Sequence, residues 1–149
     1  MMRKTTDVLL MVRGLGKIYD SCLDKPRKEY SLTQIEIKII SFLYNNPDKD
    51  TAADISYIRM LPKGNVSQAI TSLMKKGYIL KHDDEVDHRK SHLYLTPASK
   101  PIVAKIKKAY KEFLKKVFQD MEEDEVSTFV KLNHKIYANI VKEMETKND

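Results

Sequence analysis

Glycine is scarce in this chain, with four residues in 149. That leaves little material for a glycine-rich phosphate loop, and no nucleophile elbow or paired metal-ligand motif is visible. An enzyme is therefore not expected, and no cofactor is implied. Cysteine is scarcer still. Cys22 stands alone, so no disulfide can close within one chain, and cysteine usage fits a reducing, cytoplasmic setting. Apolar runs long enough to cross a bilayer are missing. The first residues, with Arg3, Lys4 and Asp7, lack the apolar stretch and small-residue cleavage site of a secretory signal. Histidine is thinly spread. His88 and His92 are four apart but on an expected hairpin, where that spacing makes no shared ligand face, and His82 and His134 are isolated. No metal site is expected.

What is present is an ordinary soluble composition, 42% hydrophobic and 32% charged, with a formal net charge of +6. The length suits one domain with a real core. A basic balance favours acidic partners, with nucleic acid or an anionic membrane surface leading.

Apolar spacing predicts a helix over 5–24, weakened by Gly14 and Gly16 and stopped by Pro26. Residues 34–46 alternate as a strand would (Ile35, Ile37, Ile39). Thr33 and Glu36 decide for a helix, because that spacing is a capping box in which hydroxyl and carboxylate each satisfy an orphan N–H. Thr51 and Asp54 repeat the signal for a short helix over about 52–60. After Pro62 a third helix covers about 64–76, with Val66, Ala69, Ile70 and Leu73 as its apolar face and Gly77 as its left-handed stop. Residues 78–82 and 91–95 read as two strands joined by a polar loop. Thr96 as cap and Pro97 at the first helical position open a long helix, with Pro101 distorting or delaying its start. The acidic run from Glu122 to Glu125 opens a last one.

Three short helices followed by a hairpin predict a mainly α protein. Its fold class is a winged helix-turn-helix with a two-stranded β wing and N- and C-terminal helical dimerisation regions. The 64–76 helix turns Gly64, Gln68, Thr71 and Lys75 outward, flanked by Asn65, Ser67 and Ser72. Short polar groups, an amide and a cation suit entry into a major groove. Gln68 fits an adenine edge, the hydroxyls fit base edges or phosphates, and Lys63 and Lys75 fit phosphates. A solvated helix face would look the same. The wing loop tips the balance: Asp87, His88, Arg89 and Lys90 lie at or near its tip. Arg89 suits a narrow minor groove, and Asp87 can restrain its guanidinium. Asp83, Asp84 and Glu85 oppose phosphate approach and are expected to point away from DNA or lie beside it.

Thr33-x-x-Glu36, the run from Ser67-Gln68-Ala69-Ile70 to Lys76-Gly77-Tyr78-Ile79, Asp87-His88-Arg89 and Leu93-Tyr94-Leu95-Thr96 together resemble the MarR (multiple antibiotic resistance regulator) family of winged helix-turn-helix transcription regulators. The likeness runs over nearly the whole chain. It departs at Lys100-Pro101, where the family often has glycine. The resemblance implies a single domain over 1–149, in which 31–99 is the DNA-binding lobe and 1–30 and 100–149 are interleaved dimerisation helices. It implies a homodimer on a pseudo-palindromic double-stranded operator, with Asp87 and Arg89 as the wing pair. It also implies a small-molecule effector, phenolic or otherwise anionic, for which Arg13, Tyr19, Tyr30 and Tyr110 are candidate lining residues. Cys22 lacks the surrounding pattern of the peroxide-sensing branch and reads as a small buried hydrophobe.

Dimerisation has a second support. The apolar stripes over 8–22, 102–121 and 126–144 need more partner surface than one small lobe offers, and leaving them wet costs roughly 25 cal/mol per Å². The lysines over 100–116 read as a solvated face. The alternative is a winged-helix module that docks a protein with the same face and does not bind DNA.

Overall fold

Capping and burial together decide each element of the computed structural model, which describes residues 5–147. Arg3 and Lys4 lie outside the described residues. Helix α1 (Thr5–Glu29) is followed by α2 (Gln34–Asn45), α3 (Ala52–Arg59) and α4 (Lys63–Lys75). Strands β1 (Ile79–Asp83) and β2 (Ser91–Leu95) pair antiparallel, Ile79 opposite Leu95 and Asp83 opposite Ser91. A 3-10 turn at Pro97–Ser99 leads into α5 (Lys100–Val117), and α6 (Glu123–Thr146) ends the order. The fold is a winged helix.

The Thr33 box is formed: Glu36 N–H donates to Thr33 Oγ1 at 3.2 Å, and Thr33 N–H donates to Glu36 Oε2 at 2.8 Å. The Thr51 and Asp54 box caps α3 in the same way. The strand-like alternation of α2 has a plain cause. This helix is enclosed on most sides, burying Ile37, Ile39, Ile40, Phe42 and Leu43. Around it pack Leu23 of α1, Ile55 of α3, the α4 face, Ile79 and Leu93 of the strands, and Ile102 and Ile106 of α5. Each such side chain fully buried contributes about 1.5–3 kcal/mol.

Two expectations are corrected. Pro26 does not stop α1. It sits inside the helix, buried, and its carbonyl still accepts from Tyr30 N–H at 3.2 Å. The helix ends at Glu29; beyond it Ser31 is left-handed (φ 53°), and Leu32 N–H turns back to Arg27 O at 2.8 Å. Burial of the ring offsets the lost hydrogen bond, which is why a proline survives there. Thr96 is not a side-chain cap. Its hydroxyl donates to Gly77 O at 2.6 Å, tying the strand exit to the end of α4.

The chain divides into two units, Met1–Phe113 and Leu114–Asp149. In the second, Phe118 and Phe129 meet edge to face at 5.5 Å. Glu122 N–H donates to Glu125 Oε2 at 2.8 Å at the start of α6. Helix α6 has no buried residue; Val130, Leu132, Ile136, Tyr137 and Ile140 are all exposed. Among the described residues, no helix is long and apolar enough to cross a membrane.

Candidate nucleic-acid interface

Helix α4 has two chemically distinct faces. Val66, Ala69, Ile70 and Leu73 are buried, while Lys63, Gly64, Asn65, Ser67, Gln68, Thr71 and Lys75 are exposed. Thr71 Oγ1 donates to Ser67 O at 3.1 Å. Its hydrogen is therefore used within the helix, and it presents acceptor lone pairs and a methyl outward. Ser72 is half-buried and borders the same surface depression as Glu36, Asn65 and Gln68. No side chain caps the start of α4.

The end of α4 is pinned. Lys76 Nζ donates to Glu36 Oε2 and to Ser31 O, both at 2.9 Å. The Glu36 side chain is 2% exposed. Burial by itself raises this carboxyl, but hydrogen bonds from Lys76, Ser72 and the Thr33 backbone outweigh it and hold Glu36 below the ordinary carboxylate range. Gly77 follows at φ 81°, and Tyr78 N–H closes on Leu73 O at 3.0 Å. Nothing in sequence spacing pointed to the Lys76 pairing, because its partner lies 40 residues away.

The wing loop is built on its acidic residues. Asp84 Oδ1 accepts from Val86 N–H at 2.9 Å and Asp87 N–H at 2.8 Å. Its other oxygen, Oδ2, lies 2.8 Å from His92 Nε2. The Asp87 backbone first, then His92, holds the Asp84 carboxyl well below the usual range. Asp83 accepts from the Ser91 hydroxyl at 2.8 Å. Asp83 and Asp84 are thus spent on the hairpin itself, while Glu85 is exposed. Asp87 Oδ1 accepts from Arg89 N–H at 3.1 Å and lies 3.6 Å from Arg89 Nε. The Arg89 side chain is 96% exposed, and His88 and Lys90 are exposed beside it. An ion pair this open restrains the guanidinium weakly.

A cavity of about 450 Å³ opens between α1, α2, α3 and α5. Tyr19, Tyr44, Arg59, Lys107, Tyr110 and Phe113 line it. Tyr19 meets Phe113 edge to face at 5.3 Å and Tyr110 at 6.3 Å. Lys107 Nζ stands 4.6 Å from the centre of the Tyr44 ring. Arg59 Nε is buried and, among the described residues, has no hydrogen-bond partner. Of the four candidate lining residues, Tyr19 and Tyr110 are in the wall. Arg13 lines a separate surface depression, and Tyr30 packs against the core. Arg59, Lys107 and Tyr44 escaped the sequence reading, since no spacing sets them apart.

A model of the MarR family matches residues 30–90. Over that span the chain is similar to the MarR family. The fold of the chain is similar to that of solved MarR regulators. A MarR transcriptional regulator from Methanosarcina mazei Go1 is 19% identical, covering 93% of this chain and 99% of its own, with a TM-score of 0.80. A mutant MarR from E. coli complexed with operator DNA is 15% identical over 87% of this chain and 93% of its own, TM-score 0.66. BpsR from Bordetella bronchiseptica, whose DNA binding is regulated by 6-hydroxynicotinic acid, is 17% identical over 88% of this chain and 98% of its own, TM-score 0.67. Comparison with curated proteins gives no match.

Proposed function

We propose that the chain is a cytoplasmic, homodimeric transcription regulator that binds a pseudo-palindromic double-stranded operator. The observation that carries this reading is the outer face of α4. It is polar and free of large apolar groups around Asn65 and Gln68, and it stands on the same lobe as a hairpin whose arginine is almost fully solvated. In this reading α4 enters the major groove. Gln68 and Asn65 address base edges, while Ser67, Thr71, Lys63 and Lys75 serve edges or phosphates, and Arg89 reaches the flanking minor groove. Gly64 leaves open space where a side chain would stand, so the backbone can approach a phosphate.

The exposed apolar stripe of α6 and the exposed Leu9, Leu10, Met11 and Val12 of α1 supply the surface for a second copy. A two-fold pair sets two α4 helices about 34 Å apart, one turn of DNA. The α1–α5 cavity serves as effector site for a small aromatic anion. Its walls stack, and Arg59 Nε and Lys107 offer positive charge.

Fluorescence anisotropy with duplexes taken from upstream of its own gene tests this. Gln68→Ala should cost about 1–3 kcal/mol and flatten preference at one base pair, and Arg89→Ala should cost a similar amount with the dimer intact. Wild-type affinity in both variants would remove the proposed interface.

A further inference from the structure

His92, on β2, has both ring nitrogens engaged by carboxylates. Nδ1 is 2.6 Å from Asp50 Oδ1, and Nε2 is 2.8 Å from Asp84 Oδ2. A neutral imidazole carries one N–H and one lone pair, so it can satisfy only one of them. The other carboxylate would then face a lone pair. Only the imidazolium donates to both. The two carboxylates belong to different parts of the lobe. Asp50 directly precedes Thr51, the cap of α3, and Asp84 opens the wing loop. We propose that protonated His92 is a clamp that fixes the wing loop to the body of the lobe, and that the loop is released when this ring loses its proton.

Among the described residues, neither Asp50 nor Asp84 has another cationic partner. Cross-strand His82 lies against Tyr94, ring centres 5.4 Å apart. From α3, Asp54 is held by Thr51. The charged groups of α2, Glu36 and Lys38, pair with Lys76 and Asp20. Beside Asp50, Asp48 and Lys49 are exposed. The hydrogen bond with Asp84, then that with Asp50, raises His92 above its ordinary value. A raised pKa means the clamp is complete below the ordinary imidazole range and is lost as pH rises through the folded-state value.

What loosens is specific. Leu93 N–H to Asp50 O, at 2.9 Å, and the strand pairing do not depend on the proton. The loop does, because Asp84 also gathers the Val86 and Asp87 amides, and Asp87 in turn receives Arg89. The clamp belongs to the wing and stands without DNA binding; only its consequence for DNA affinity rests on the proposed function.

NMR on the full-length protein tests it, following the His92 ring nitrogens and the Val86 and Asp87 amides from about pH 5.5 to about pH 9. The expected result is a doubly protonated ring with a midpoint above 6.5, and both amides shifting with that same midpoint. Asp84→Asn should lower the midpoint, and His92→Gln should abolish the linked amide shift. A midpoint at or below 6.5, or amides that ignore the ring, overturns the clamp. Should His92→Gln fail to fold, the wild-type midpoint and the Asp84→Asn shift decide. In parallel, affinity for the upstream duplex should fall over the same pH range in wild type and stay flat in His92→Gln. A clamp seen by NMR in a protein that binds no duplex at any pH sinks the DNA reading and leaves the clamp standing.

Discussion

Glu36 is a carboxylate almost without water, and Lys76 is what makes that tolerable. The box with Thr33 was legible from spacing alone. The ion pair was not, because it joins the first turn of α2 to the end of α4 through tertiary packing. Removing one partner of such a pair strands the other. Lys76→Met should therefore destabilise the lobe by about 3 kcal/mol in urea unfolding, and it should free the end of α4 from Ser31. Because Glu36 sits below its ordinary range, the stabilisation it gives is present above the unfolded-state pKa and fades as pH falls through the folded one. The Lys76→Met penalty should accordingly shrink in acid, and a penalty independent of pH would contradict this role. His92 escaped the sequence reading for the same reason. Its partners lie 42 and 8 residues away, and a histidine in a short strand looks like any other surface residue.

At the scale of elements, local chemistry that acts within four residues was readable. The two Thr-started boxes fixed α2 and α3, and Gly77 fixed the end of α4. Gly77 has open space where a side chain would stand, so its role is backbone freedom alone. Gly77→Ala should then cost about 1–2 kcal/mol through the left-handed φ; a neutral result in urea unfolding would show that the turn can rearrange. Elements whose ends are set by packing were misread. Pro26 looked like a stop and is a buried member of α1, while Thr96 looked like a cap and is a strap to Gly77. Met60, left-handed at the end of α3 (φ 52°), carries no glycine or asparagine to announce it. Within the candidate interface, spacing placed Gln68 outward and Asn65 on its flank, and both are exposed. It could not show that the Thr71 hydrogen is used within the helix.

At the scale of the molecule, the exposed apolar faces and the paired contacts with DNA belong to one proposal, a two-fold assembly. Ile136 is 57% exposed at the middle of the α6 stripe. Ile136→Glu should dissociate the dimer in sedimentation velocity and, by separating the two α4 helices, weaken operator binding far more than it alters helix content. An unchanged sedimentation coefficient would remove α6 from the interface. The central claim, that polar α4 and the cationic wing grip a phosphate backbone twice, is tested most directly by affinity for the upstream duplex as a function of salt. The account predicts log affinity falling linearly with log salt, with a slope near −0.9 per phosphate neutralised, and a slope smaller by about 1 for each lost phosphate contact when Lys75 is replaced by Ala. Affinity indifferent to ionic strength would contradict it and favour a protein-docking module.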